Sequence, residues 1–166
     1  DKTRLIEFGR HAADRRAQRG LGRPETFKFL GFVFICGKSR RGGFLVTRKS
    51  RRDRMAARLK KIKEELRRRR HQPVPETGKW LAQVVSGYFG YHAVPTNSAA
   101  LSAFRYHVTV LWHGQLCRRS QRGRVAWDRM TKLMDDFIPK ARVLHPWPSV
   151  RFAVRLRNSG EVGRLL

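Results

Sequence analysis

The chain has 166 residues, of which 38 are Lys or Arg and 12 are Asp or Glu, for a formal net charge of +26 at pH 7. Hydrophobic residues make up 40% of it, with ten Phe, four Trp and three Tyr, which excludes a wholly disordered basic tail and allows one packed domain with an appendage. The charge far exceeds the roughly 2–8 that keeps a small domain soluble, and it points to a polyanion partner, since neutralised phosphates relieve self-repulsion and release counterions.

Residues 1–12 carry a short apolar alternation at Leu5, Ile6 and Phe8 and read as a strand. Residues 13–25 read as a basic loop punctuated by Gly20, Gly22 and Pro24. FKFLGFVFICG, residues 27–37, is rich in Phe, Val and Ile and too short for a helix. It reads as one strand, with a bulge or a close backbone approach at Gly31. KSRRGG (38–43) is a turn and FLVTRKS (44–50) is the return strand, which together predict a β-hairpin with Arg40 and Arg41 at its tip.

A long helix is expected over 50–71, with Ser50 as N-cap and Asp53 three residues on. Met55, Leu59, Ile62 and Leu66 form its single narrow apolar stripe, and the other faces are almost solid Arg and Lys. HQPVPE (71–76) stops it, because proline removes a donor and restricts the residue before it. A second helix is expected over 77–92, with Trp80, Leu81, Val84, Val85 and Tyr88 on its apolar face. HAVPTN breaks that helix, and Ser98 caps a third over 98–119, with Leu101, Phe104, Val108, Leu111 and Gln115 along one seam. Three helices joined by short Pro-containing loops predict a bundle. A shorter fourth helix is expected over 125–137. Three prolines keep 139–150 out of a helix, and 155–166 reads as a fraying tail.

The segment RRDRMAARLKKIKEELRRRRHQPVPETGKWLAQVVSGYFGYHAVPTNSAALSAFRYHVTVLWHGQL (51–116) closely resembles the maturase-specific region, or domain X, of bacterial group II intron reverse transcriptases. GKWL, GYFGYHAVPTN and the Phe104-Arg105 pair that follows carry the likeness. Upstream, KTRLIEFGR and FLGF (29–32) resemble the last conserved blocks of the same polymerases' palm. Downstream, WDRM and LHPWPSVRF also look like that family, whereas the tail RLRNSGEVGRLL departs from it.

The resemblance implies a right-hand polymerase whose helical thumb clamps a template–primer duplex, and a maturase that stabilises the splicing-competent fold of its intron RNA. It implies an α+β, mainly α fold: an N-terminal β-hairpin, a three-helix thumb-like bundle and a short fourth helix. Residues 1–49 would then end the palm, 50–119 form the thumb/maturase bundle, 120–153 carry the C-terminal helix and HPWP extension, and 154–166 form a disordered tail. A bacterial cytoplasmic setting follows from the same likeness. The start at Asp1 reads as a fragment or processed product, and no apolar run has the length of a membrane span.

Polymerisation needs carboxylates that hold two divalent metals. The family carries them on a Tyr-Ala-Asp-Asp turn upstream of FLGF, and no such turn precedes Phe29. Magnesium therefore belongs to the parent polymerase, and no cofactor and no catalytic residue is expected here. Asp135-Asp136 is the only Asp pair, lies in a helical context, and has no third carboxylate near it in sequence. His107, His113 and His145 with Cys117 do not make the zinc set of an HNH endonuclease. Cys36 and Cys117 show no metal-type spacing and fit a reducing compartment.

Phosphate contact is expected from Arg51, Arg52, Arg54, Arg58, Lys60, Lys61 and Lys63 on the first long helix. Arg40 and Arg41 at the hairpin tip, and Arg118, Arg119, Arg122 and Arg124 past the third helix, extend the basic surface. Tyr91 and His92, closing a helix beside a loop, are candidates for stacking on or bonding to RNA. Trp80, Phe104 and Tyr88 read as core, Asn97 as a residue bonding its own loop, and Trp147 as docked on the bundle. The expected function is RNA binding without catalysis, with structured intron RNA as the partner. The alternatives are a polymerase part that works when fingers and palm are supplied separately, and a non-functional remnant.

Overall fold

A computed structural model describes residues 3, 5–119, 124–148 and 150. After a short helix, α1 (Ala12–Gln18), come three antiparallel strands in the order β1 (Phe27–Phe29), β2 (Phe32–Lys38) and β3 (Phe44–Ser50). Phe29 pairs with Phe32 across Leu30 and Gly31, whose φ angles are 44° and 79°. Two consecutive left-handed residues make the tight turn whose twist matches that of the strands it joins. The stretch expected as one bulged strand is therefore two strands, and Gly31 is the second turn residue. The register puts Phe27, Phe29, Phe32 and Phe34 on one face of the sheet, with Phe27 and Phe34 stacked at 4.8 Å.

Residues 5–8 form no strand, contrary to the alternation in their sequence. Leu5 is 99% exposed, while Phe8 lies edge-on to Phe27 at 4.9 Å and so covers the Phe face without pairing its backbone. The expected basic loop contains α1 instead: AADRRAQ is made largely of strong helix formers, with Asp14 in the first turn.

Four helices follow: α2 (Arg52–Arg68), α3 (Val74–His92), α4 (Ser98–Cys117) and α5 (Trp127–Phe137). Ser50 is not the cap of α2. It ends β3, is buried, and has its side chain engaged elsewhere; the N-cap position falls to Arg51, without a side-chain cap bond. The HQPVPE prolines start α3 rather than merely ending α2. Pro73 takes the N-cap position and Pro75 lies in the first turn, where a missing N–H costs no helical bond. Asn97, not Ser98, takes the N-cap position of α4.

The core draws Ile62 and Leu66 from α2, Leu81, Val85, Tyr88 and Phe89 from α3, Leu101, Phe104, Val108, Trp112 and Leu116 from α4, and Met130 from α5. Full burial of an aliphatic side chain of this kind contributes about 1.5–3 kcal/mol. Phe104 stacks on Tyr88 at 3.7 Å, and Trp80 and Leu111 pack on the edge of this core. Gly78 is required where α3 meets α5, since a Cβ there would come within 2.5 Å of the Phe137 ring. Arg105 closes the far end of α5, donating through Nη2 to the Ile138 carbonyl at 3.2 Å and to Asp135 at 2.9 Å.

Residues 139–147 run without regular structure, and helical backbone returns at Pro148 and Val150, inside the stretch expected to be wholly non-helical. The Leu144 and His145 N–H groups donate to the Ala93 carbonyl at 2.9 and 3.1 Å, which ties this segment to the end of α3. Trp147, 45% exposed, lines a recess with Phe34, Leu45, Val46 and Arg48. It therefore lies against the sheet rather than the bundle. Among the described residues, no helix is long and apolar enough to cross a membrane.

Candidate nucleic-acid interface

The narrow stripe of α2 turns Ile62 and Leu66 into the core and leaves every other face to charge. Arg52, Arg54, Arg58, Lys60, Lys61 and Lys63 are all exposed, and none forms an ion pair among the described residues. Acids are few on this helix: Asp53, Glu64 and Glu65, of which Glu64 is exposed without an ion pair among the described residues. Asp53 is taken by Arg51 at 2.5 Å, and that hydrogen bond holds the carboxyl down at about 2. Glu65 is shared by Arg68 and Arg69, at 3.4 and 2.7 Å. Arg51 thus differs from its neighbours: it was expected on the binding face, but it is half-buried and its guanidinium already has a partner. Arg52 and Arg54 stand in the first turn of α2, where the macrodipole already favours an anion. A phosphate placed there would relieve both.

The outlying cations divide. Arg40, Arg41, Arg118 and Arg124 are exposed, without an ion pair among the described residues. Arg119 is half-buried and donates from Nη2 to the Gln72 carbonyl, stapling the end of α4 to the α2–α3 connection. Arg122 lies outside the described residues.

Tyr91 and His92 are occupied within the protein. Tyr91 donates its hydroxyl to the Leu30 carbonyl at 2.6 Å and stacks on Phe32 at 5.6 Å, although it is 52% exposed. His92 lies between Tyr88 at 4.2 Å and Phe32 at 5.1 Å, with Nδ1 3.0 Å from Ser50 Oγ. Burial pushes its pKa below the usual 6.5. Asn97 completes the arrangement. Its Oδ1 accepts from the Ser50 N–H at 2.9 Å, and its Nδ2 donates to Ser50 Oγ and to the His92 carbonyl, both at 2.8 Å. It was expected to serve its own loop; it bridges that loop to the sheet.

Thr96 has φ 76°, a region β-branched residues rarely adopt, and its Oγ1 accepts from Arg48 N–H at 2.8 Å and donates to Arg48 C=O at 3.2 Å. The side chain thus stands in for a neighbouring strand along β3. GYFGYHAVPTN is therefore the joint that fixes the sheet to the bundle. No periodicity in the sequence marks it, because its partners are some 47 residues away.

Among the described residues, no three His, Cys, Asp or Glu side chains gather as a metal-ligand set. Asp135 is held by Arg105, and Asp136 beside it is exposed on α5. His113 Nε2 lies 2.7 Å from the Val125 carbonyl, to which its N–H donates, and its ring stacks on Trp127 at 4.4 Å, so it packs the start of α5. No protein-family model, no curated protein and no solved structure matches this chain, and the likeness to group II intron maturases rests on the motifs quoted above.

Proposed function

We propose that this chain is an RNA-binding clamp, the thumb and maturase region of a group II intron reverse transcriptase, which holds intron RNA without transforming it. The observation that carries the reading is the α2 surface: seven exposed cations, Arg67 among them, without ion-pair partners among the described residues, on a helix anchored by a thin apolar seam. Unpaired cations at this density suit a polyanion, and phosphate contacts supply affinity without sequence information. Preference for one RNA would come from its loops, bulges and shape, because the deep, narrow A-form major groove cannot be read by side chains.

The test is binding to a folded group II intron RNA and to a scrambled RNA of equal length across a salt series. Affinity is expected to fall steeply with salt for both, with the folded intron preferred throughout. A flat salt response would remove the electrostatic basis, and equal affinity for the scrambled RNA would remove the maturase assignment.

A further inference from the structure

Between α2 and α3 lies an open groove of about 370 Å³, lined by Arg58, Lys61, Arg68, Ile62, Trp80 and Val84, with Glu64 and Glu65 at its edge. Ile62, Trp80 and Val84 make its apolar floor, and its charged rim carries three cations and two carboxylates. Arg69 lies over the Trp80 ring at 4.9 Å from the centroid and is held by Glu65, which fixes the indole in place. Glu65 is thereby neutralised. Glu64 is exposed, without an ion pair among the described residues, and offers an acceptor at the rim.

A second observation comes from the glycines. Gly87 lies one helical turn beyond Val84, so Trp80, Val84 and Gly87 continue one stripe along α3. A Cβ built on Gly87 meets nothing within 4 Å, and the same holds for Gly90. Both have ordinary helical backbone, so no turn demands glycine there. Glycine is a poor helix former, and here no packing within the described protein requires it. An unforced glycine on an exposed helix face suits the close approach of something external.

We infer that the α2–α3 groove receives an unpaired RNA strand, with a base on the Trp80–Val84 floor, phosphates on the unpaired Arg58 and Lys61, and the sugar–phosphate backbone passing over Gly87. Duplex RNA keeps its bases stacked inside and cannot place one on that floor, whereas bases of loops and bulges stack on aromatic side chains. The inference deepens the RNA-binding reading and rests on it, since it assigns to that surface the single-stranded parts of the partner.

The test compares a labelled unpaired RNA of about 12 nucleotides with the same strand annealed to its complement, near physiological salt, for the parent and for Gly87→Gln. The parent is expected to prefer the unpaired strand. Gly87→Gln fills the approach path and is expected to weaken unpaired-strand binding at least about tenfold, the scale of a single base–aromatic stack. It should leave duplex binding unchanged and melt no lower than the parent, because the new side chain enters open space. Unchanged affinity of Gly87→Gln for the unpaired strand would overturn the inference, as would equal weakening on both RNA forms. A parent that binds folded RNA with no preference for the unpaired strand would sink this groove alone; a parent that binds neither would sink the RNA reading with it.

Discussion

The outer face of α2 and the joint around Asn97 treat polar groups in opposite ways. On α2, Arg52, Arg54, Arg58, Lys60, Lys61 and Lys63 project outward without ion-pair partners among the described residues. At the joint, Ser50, His92, Thr96 and Asn97 commit their side chains to one another and to β3. Proximity of polar residues in sequence does not separate these cases; saturation of their bonding capacity does. A surface with free donors can take up a phosphate, whereas a saturated joint holds two parts of the fold together.

The sharpest way to break that distinction is Asn97→Ala. It removes one acceptor and two donated hydrogen bonds and leaves the buried Ser50 N–H unsatisfied. A loss of about 2–4 kcal/mol in stability to denaturant is expected, since each buried unsatisfied group costs about 1–3 kcal/mol. RNA affinity, measured well below the melting temperature, should change little. A stable variant that no longer binds RNA would move Asn97 from the joint to the interface.

A smaller effect comes from acid. Burial holds the folded pKa of His92 below 6.5, so neutral His92 is the form the fold accommodates. The corresponding stability is fully present above pH 6.5 and is lost as pH falls from there toward the lower folded value. The denaturant midpoint of the parent should therefore drop as pH falls below 6.5, while that of His92→Gln should drop less. Asp53 acts in a separate window: its carboxyl moves from 3.8 to about 2, so its contribution disappears only as pH falls below 3.8. Equal acid sensitivity in the parent and in His92→Gln would contradict a structural role for the imidazole.

Much of the helical architecture was legible in the chain because apolar residues recur at helical spacing: Met55, Leu59, Ile62 and Leu66 point one way on α2 whatever surrounds them. The turn at Leu30 and Gly31 was not, since Leu gives no signal of a left-handed φ and the Phe residues on both sides read as one apolar run. α1 leaves no mark in the sequence, because it buries only Ala12 and so shows no apolar stripe. Pro73 and Pro75 mark a boundary in the sequence without saying which side is helical, since proline suits a helix start as well as a stop.

For the site, the cationic face of α2 could be read from composition around the stripe. The removal of Arg51 and Arg119 from the free set could not, because it depends on where Asp53 and the Gln72 carbonyl come to lie. Tyr91 and His92 follow the same logic: their partners Leu30 and Ser50 belong to the sheet.

The proposed hold of α2 on a polyanion rests on its unpaired cations. It is tested most directly by the salt dependence of RNA binding for the parent and for a variant with Arg54, Arg58, Lys60 and Lys61 all changed to alanine. The variant is expected to melt close to the parent, to bind RNA at least about 100-fold more weakly at low salt, and to show a shallower slope of log affinity against log salt, by about 0.7 for each phosphate no longer neutralised on a single strand. An unchanged slope and affinity in a folded variant would contradict it.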